Sequence, residues 1–362
     1  MNLTIIAGAR PNFMKIAPLI HEILRVQKNG SNISYSLVHT GQHYDPKLSQ
    51  TFFNELNIPA PDVNLEVGSG TQAEQTGNIM IRFEKYLMEN PSDLLIVVGD
   101  VTSTMACSIV AKKLNTEVAH IEAGIRSFDL TMPEEINRMV TDSITDHFFT
   151  TSEVANQNLR KAGVPTERIY FVGNIMIDTL LKNKDLFKKP EMFDENDLKE
   201  GKYLVMTLHR PSNVDEPDKL KNLLNEIVSN SQDLPLVFPV HPRTKVTLEQ
   251  IKFAHPQVIL TQPLSYLEFN YMVKNAKAVI TDSGGIQEET TVMGIPCITM
   301  RNNTERPETV TVGSNVMVGD NMDLLKKELK NLFEGKWKKS NIPELWDGKT
   351  AKRIVEILLK LK

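Results

Sequence analysis

Cysteine is nearly missing from this 362-residue chain, which carries only Cys107 and Cys297, both in apolar segments. So small a supply argues against a disulfide framework or a thiolate metal site and fits a reducing compartment. Long apolar runs are missing too, and no basic segment precedes the opening strand Leu3-Thr4-Ile5-Ile6. No signal peptide or membrane span is therefore expected, and the cytoplasm is the default location. Charge of one sign is not in excess: the net charge is −4 and the pI about 6.1. That excludes a general nucleic-acid or membrane-surface binder, so any anion site has to be local. Cys-x-x-Cys spacing does not occur, and no metal is expected. Also absent are the Walker spacing of a phosphate loop, the Gly-x-Ser-x-Gly elbow, short-period repeats and low-complexity sequence.

Apolar residues are plentiful, at 41%, and the length exceeds what one core usually organises, so two domains are expected. Short runs rich in Val and Ile alternate with segments of helical period, the pattern of parallel sheets covered by helices. Strands are expected near Leu3–Ala7, Ser34–Thr40, Leu94–Val98, Val118–Ile121, His147–Thr150 and Ile169–Val172. After a pause they resume at Tyr203–Thr207, Leu236–Val240, Val258–Thr261, Ala278–Thr281 and Cys297–Met300. The pause, Asn183 to Lys202, is charged and contains Pro190, and it reads as a surface excursion near a domain join. The expected architecture is α/β, with two Rossmann-like domains facing a central cleft. Residues 1–172 form the first domain, and residues 173–349 form the second. The amphipathic segment 350–362 crosses back to pack on the first.

The ends of these strands are unusually polar, and ligands of open parallel sheets bind beyond the strand carboxyl ends. In Ile280-Thr281-Asp282-Ser283-Gly284-Gly285 a strand runs into a Ser-Gly-Gly turn that opens a helix. Unpaired amides, the helix dipole and two small residues suit that turn to a phosphate. Glu288 and Glu289 are expected in the first turn of that helix, where they either face a ligand or merely complement the dipole. In Gly8-Ala9-Arg10-Pro11-Asn12-Phe13-Met14-Lys15 both Arg10 and Lys15 can reach a pyrophosphate.

Gly68-Ser69-Gly70-Thr71-Gln72-Ala73 formally fits a dinucleotide fingerprint, yet it follows a Pro-containing polar stretch and its matching acid, Glu89, falls inside a helical segment. It reads instead as a loop that caps a helix from about Gln72. Asp100 and Glu122 end neighbouring strands, and Glu134-Glu135 follows Pro133 at a helix start. Asp100 can equally cap the next helix, and the Glu pair can equally complement a dipole. Grouped in one site, such acids repel one another and lose solvent, which raises their pKa toward the range that proton transfer requires. Of eight histidines, His209 and His241 stand just past strands of the second half; His21, His39, His120, His147 and His255 read as structural.

Taken together, the chain resembles the non-hydrolysing UDP-N-acetylglucosamine 2-epimerases, of the glycosyltransferase-B-like fold. The resemblance runs nearly end to end. It rests on Gly8-Ala9-Arg10-Pro11 with Lys15, Thr40-Gly41-Gln42-His43, Val98-Gly99-Asp100, His120 to Arg126, Pro133 to Arg138, His209-Arg210, Thr281 to Glu289 and Thr304 to Glu308. It implies reversible conversion of UDP-N-acetylglucosamine to UDP-N-acetylmannosamine by elimination of UDP and re-addition through 2-acetamidoglucal. No cofactor is implied. Asp100, Glu122, Glu134 and His209 are the implied catalytic set. Arg10, Lys15, His209, Phe269, Ser283, Gly284, Gly285, Glu289 and Arg306 are the implied UDP-binding set, with Phe269 near the base and Glu289 on the ribose. Gln42, His43 and His241 are the implied second substrate site. His209-Arg210-Pro211-Ser212 stands where many relatives read His-Arg-Arg-Glu.

A cytoplasmic homodimer feeding cell-surface polysaccharide synthesis is the expected context. The rival readings are a 2-epimerase of a UDP-2,3-diacetamido uronic acid, a glycosyltransferase of the same fold, and a nucleotide-sugar sensor without turnover.

Overall fold

Parallel strands are buried on both faces, so each reads as an unbroken apolar run, as in Leu94–Val98 where all five residues are inaccessible. The computed structural model describes residues 1–8, 10–41, 56–240 and 242–361, the side chains of residues 10, 11, 242 and 243 excepted. Two compact units emerge, Met1–Lys182 with Glu344–Lys362, and Asn183–Pro343. Each is an α/β unit built on an all-parallel sheet.

The first sheet comprises β1 (Asn2–Ala7), β2 (Ser34–His39), β3 (Val63–Asn64), β4 (Leu94–Val98), β5 (Glu117–Ile121), β6 (His147–Thr150) and β7 (Ile169–Phe171), in spatial order 3-2-1-4-5-6-7. The second comprises β8 (Leu204–Thr207), β9 (Leu236–Pro239), β10 (Val258–Thr261), β11 (Ala278–Thr281), β12 (Cys297–Thr299) and β13 (Asn315–Met317), in order 10-9-8-11-12-13. Both orders reverse direction once, between β1 and β4 and between β8 and β11. At such a reversal the flanking loops part and leave a crevice for a ligand.

Two strands went unforeseen, β3 and β13, both at sheet edges and only two and three residues long. An edge strand needs fewer apolar residues, and each of these opens or closes on an asparagine, so neither carries a run to recognise. The segment after Asn183 lies at the join between the units and is largely exposed, as expected, but it is anchored: Phe193 and Leu198 are buried in the core of the second unit against Tyr203 and Met272. Two apolar residues five apart are too sparse to announce themselves in a charged stretch.

The first unit extends to Lys182, the next-to-last residue of the helix Ile175–Asn183. Thr179 in that helix is bonded to the Met14 carbonyl at 2.5 Å. Asp178 accepts the amides of Thr350 at 3.1 Å and Ala351 at 2.7 Å, which caps the C-terminal helix Thr350–Leu358. That helix lies on the helix Arg10–Lys28. Just before it, Trp346, 1% exposed, donates its indole N–H to the Thr151 carbonyl at 3.1 Å.

Gly68 to Ala73 does form a helix start. The Thr71 hydroxyl accepts from Glu74 N–H while the Glu74 carboxylate accepts from Thr71 N–H, a reciprocal cap for the helix Gln72–Glu89. Among the described residues no helix is long and apolar enough to cross a membrane. Cys107 and Cys297 are both buried and free.

Candidate active site

In the first unit the loops after β1, β4 and β5 bring a compact polar set together. Asn12, in the first turn of the helix after β1, accepts the Gly8 amide at 3.1 Å and donates to the Val98 carbonyl at 2.9 Å, which ties the β1 loop to the end of β4. One turn further on, Lys15 reaches Glu122 at the end of β5, Nζ to Oε2 2.7 Å, with 12% and 3% of the two side chains exposed. Gly99 lies beneath this pair. A Cβ there would stand 3.0 Å from Lys15 Nζ and 3.6 Å from Glu122 Oε2, and its φ of +70° is one that side chains resist. Glu122 itself takes φ +71°, an unfavourable conformation for a non-glycine residue and one that gathers at functional sites.

Asp100 follows Gly99 and pairs with Arg138 through Nη1 and Oδ2. It does not cap the next helix, whose N-cap is Val101 with no side-chain bond. Arg138 is 2% exposed and is itself held by Glu135, Nη2 to Oε2 2.7 Å, at the i,i+3 spacing of one helix face. Glu135 also accepts from Ser127 N–H at 2.9 Å, Ser127 Oγ at 3.0 Å and Phe128 N–H at 3.0 Å. Burial alone would raise its carboxyl, but these bonds and Arg138 outweigh that and hold it below the usual range. Glu134, its neighbour, is exposed in the first turn of the helix Pro133–Ile144. Asp100 keeps 32% of its side chain accessible.

In the second unit the organising residue is Asp282, fully buried at the end of β11. It accepts from Asn213 Nδ2 at 3.0 Å and from the backbone amides of His209 and Arg210, and its Oδ1 lies 2.8 Å from His209 Nδ1. Burial pushes this carboxyl up, yet His209, Asn213 and Arg210 more than offset it and leave it below the ordinary aspartate value. His209 is thereby aimed by one ring nitrogen while 48% of its side chain stays accessible. Ser283 is the N-cap of the helix Gly284–Met293 and makes no side-chain cap, and the space a Gly284 Cβ would fill is open. The first amides of that helix are the ones an incoming anion can take.

Glu288 and Glu289 do not stand in the first turn of that helix. Gly284 starts it, so they fall in the second turn, and both are buried rather than placed to complement the dipole. Glu288 pairs with Arg306 Nε. Glu289 sits beside Tyr266 and Asn270; burial and the nearby Glu288 outweigh these two neutral partners and push its carboxyl up to about 7. Glu308 is likewise raised by burial to about 7, whereas burial of Glu305 is outweighed by Arg301 and Arg306, which hold it down at about 2. Phe269 is half-buried on the helix Tyr266–Lys274, against the same apolar cluster as Leu264.

The expected residues thus separate into two sets. Lys15, Asp100 and Glu122 gather at the first switch point, and His209, Ser283 and Gly284 gather at the second with Gly285 next in the helix. Glu289 and Arg306 are linked to that helix through its second turn. The Arg10 side chain and residues Gln42, His43 and His241 lie outside the described part of the structure. Residues without an assigned role proved central, Asn12, Arg138, Asp142 and Asp282, and Glu135 holds Arg138 rather than merely complementing the helix dipole. Only the i,i+3 spacing of Glu135 and Arg138 was a readable signal. The others act across long sequence separations that a single sequence does not reveal. Among the described residues no group of three or more His, Cys, Asp or Glu could hold a metal ion.

Known proteins with the same geometry place the chain. The sequence profile of a family described as UDP-N-acetylglucosamine 2-epimerase matches residues 25–359. A UDP-N-acetylglucosamine 2-epimerase of Methanocaldococcus jannaschii is 41% identical over 370 residues, covering 99% of each chain. A UDP-2,3-diacetamido-2,3-dideoxy-D-glucuronate 2-epimerase of Pseudomonas aeruginosa is 37% identical over 366 residues, covering 100% of each. The crystal structure of the Methanocaldococcus jannaschii enzyme in complex with UDP-GlcNAc and UDP superposes with a TM-score of 0.88 at 41% identity, over 99% of this chain and 100% of that one.

Proposed function

The chain belongs to the UDP-N-acetylglucosamine 2-epimerase family, and from that premise we propose that it interconverts UDP-N-acetylglucosamine and UDP-N-acetylmannosamine as an isomerase. The observation that carries the reading is the pair of carboxylates ending neighbouring strands β4 and β5, each held by its own cation, Asp100 by Arg138 and Glu122 by Lys15.

The C2 proton of the sugar is not acidic enough to be lost alone, so its removal is coupled to departure of UDP. The C2–H bond gives its electrons to a new C1–C2 double bond, the C1–O bond breaks, and UDP leaves with that pair. The neutral intermediate is 2-acetamidoglucal. Return of UDP oxygen to C1 and of a proton to the other face of C2 completes the change and consumes nothing. Two faces require two acid/base groups, and Asp100, Glu122 and Glu134 are the candidates. Asp100 and Glu134 are accessible, and Glu122 is buried on Lys15. Arg10, Lys15, His209 and the Ser283-Gly284-Gly285 amides stabilise the departing diphosphate, because preorganised donors are worth most where charge develops. Arg306 and Glu289 serve the nucleotide, with Glu289 as acceptor for ribose hydroxyls and Phe269 against the base. Gln42, His43 and His241 form a second substrate site in this reading.

A second substrate is favoured by one observation, the 37% identity to the diacetamido-glucuronate epimerase. The same acid/base set would serve it, with different contacts at C3 and C6. We place the enzyme in the cytoplasm as a homodimer supplying an amino sugar for surface polysaccharide. Free buried cysteines and the exposed apolar residues Ile81, Met88, Ile136 and Met139 of the first unit support that placement.

Incubation with each nucleotide sugar in deuterated water, without nicotinamide, tests the reading by NMR at C2. Epimerisation with deuterium at C2 is the expected result. Slow UDP release with a silent C2 would make the protein a transferase, and binding without change would make it a sensor.

A further inference from the structure

His120 stands in β5 two residues before Glu122, completely inaccessible, with both ring nitrogens engaged. Nε2 lies 2.9 Å from the Gly99 carbonyl and Nδ1 lies 2.7 Å from Asp142 Oδ1. A carbonyl can only accept, so Nε2 carries a proton. A neutral ring would then turn a bare Nδ1 lone pair toward a carboxylate oxygen. Asp142 is ionised by its other partners: Oδ2 takes the Gly124 amide at 3.1 Å and Arg126 Nη1 at 2.6 Å. Both nitrogens must therefore donate.

The surrounding charges agree. Among the described residues, Arg126, Arg138 and Lys15 are paired with Asp100, Glu122, Glu135 and Asp142, three cations against four carboxylates. One further positive charge balances the group, and buried ions persist where they are compensated.

We propose that His120 is a positioning residue, held as a buried imidazolium between Asp142 and the Gly99 carbonyl, that fixes the turn from which Asp100 and the Lys15–Glu122 pair act. Gly99 is gripped on both sides, its N–H donating to the Ile121 carbonyl at 3.0 Å and its C=O accepting from the ring. Asp100 is the next residue, and its own carbonyl accepts from Asn137 Nδ2 at 2.8 Å. One side chain therefore sets the backbone beneath one acid while its own strand delivers the other. His120 touches neither substrate nor reacting atoms in this scheme. Its catalytic consequence rests on the epimerase reading; its protonation state does not.

Nitrogen-15 NMR of the histidine-labelled protein, with the resonance identified by its change in Asp142→Asn, reads the ring directly. Protons on both nitrogens at pH 7 are expected, and a singly protonated neutral ring there overturns the proposal. Asp142→Asn keeps an acceptor but removes the charge, and His120→Gln keeps a donor for Gly99 without charge. In each, kcat should fall about tenfold to a hundredfold with KM within about threefold, because small misplacement of reacting groups is expensive. A folded Asp142→Asn enzyme with a neutral ring and unaltered kcat also overturns it. Should His120→Gln fail to fold, the wild-type spectrum and Asp142→Asn still decide. Wild-type protein with a doubly protonated ring but no epimerisation would sink the functional reading and leave the buried pair standing.

Discussion

The two switch points are built on the same topology but supply their acids with cations unevenly. At the first switch point each carboxylate of the polar set has a cation: Glu122 has Lys15, Asp100 and Glu135 have Arg138, and Asp142 has Arg126 and His120. In the second unit Glu288 and Glu305 are paired with arginines, but Glu289 faces a phenol, an amide and the Glu288 carboxylate, and burial raises both it and Glu308 to about 7. An acid paired with a cation is fixed in place, which suits a group that must meet one carbon atom in a set geometry. An acid left among neutral partners is short of donors, which suits a group that waits for ligand hydroxyls.

The largest effect that could break this contrast lies in the first unit. Asp100→Asn or Glu122→Gln should lower turnover by about two to four orders of magnitude while UDP affinity stays near normal. Steady-state kinetics with UDP binding by calorimetry would show it, and full turnover in both variants would remove the two acids from proton transfer. Next in size, Gly99→Ala should lower kcat by about tenfold or more, because the new methyl group needs the space of the Lys15–Glu122 pair at an unfavourable φ.

Glu289→Gln sharpens the contrast on the other side. The raised pKa means the folded protein binds this proton more readily than the unfolded chain, so its ionisation destabilises the fold as pH rises from about 4.5 to about 7. At pH 8 the variant should therefore gain on the order of 1 kcal/mol in stability, yet bind UDP-N-acetylglucosamine about tenfold more weakly if the carboxylate accepts ribose hydroxyls. Affinity of the parent should also weaken below pH 7, and that dependence should vanish in the variant. Unchanged affinity across this range would end the ribose assignment. The smallest effect is a control: Thr71→Ala should cost about 1 kcal/mol of stability through its lost cap and leave kcat and KM untouched, as thermal melts and kinetics can check.

Much of this arrangement is legible in the sequence, for identifiable reasons. Strands such as Leu94–Val98 announce themselves because a buried parallel strand has no polar face to interrupt the run. The polar strand ends after β4, β5, β8 and β11 stand out for the same reason, since nothing in a buried sheet requires them. What stayed hidden lies in long-range pairing. Nothing local indicates that Asp282 would bind the loop after β8, or that Asp142 would lock His120. The helix start at Gly284 moved two acids from the first turn into the interior, a shift of one turn that inverts their reading from dipole complement to buried neighbours of Arg306 and Tyr266. His120 looked like an ordinary core histidine because the sequence shows one apolar strand around it and neither of its acceptors.

The fastening of Trp346 and the helix Thr350–Leu358 to the first unit has a consequence for biosynthesis. The second unit is, in chain terms, an insertion: all of its residues, Asn183–Pro343, lie between two stretches of the first. The first unit's Asp178 carboxylate and Thr151 carbonyl take their partners from the stretch beyond that insertion. The first unit therefore cannot be closed until the whole of the second has been added to the chain.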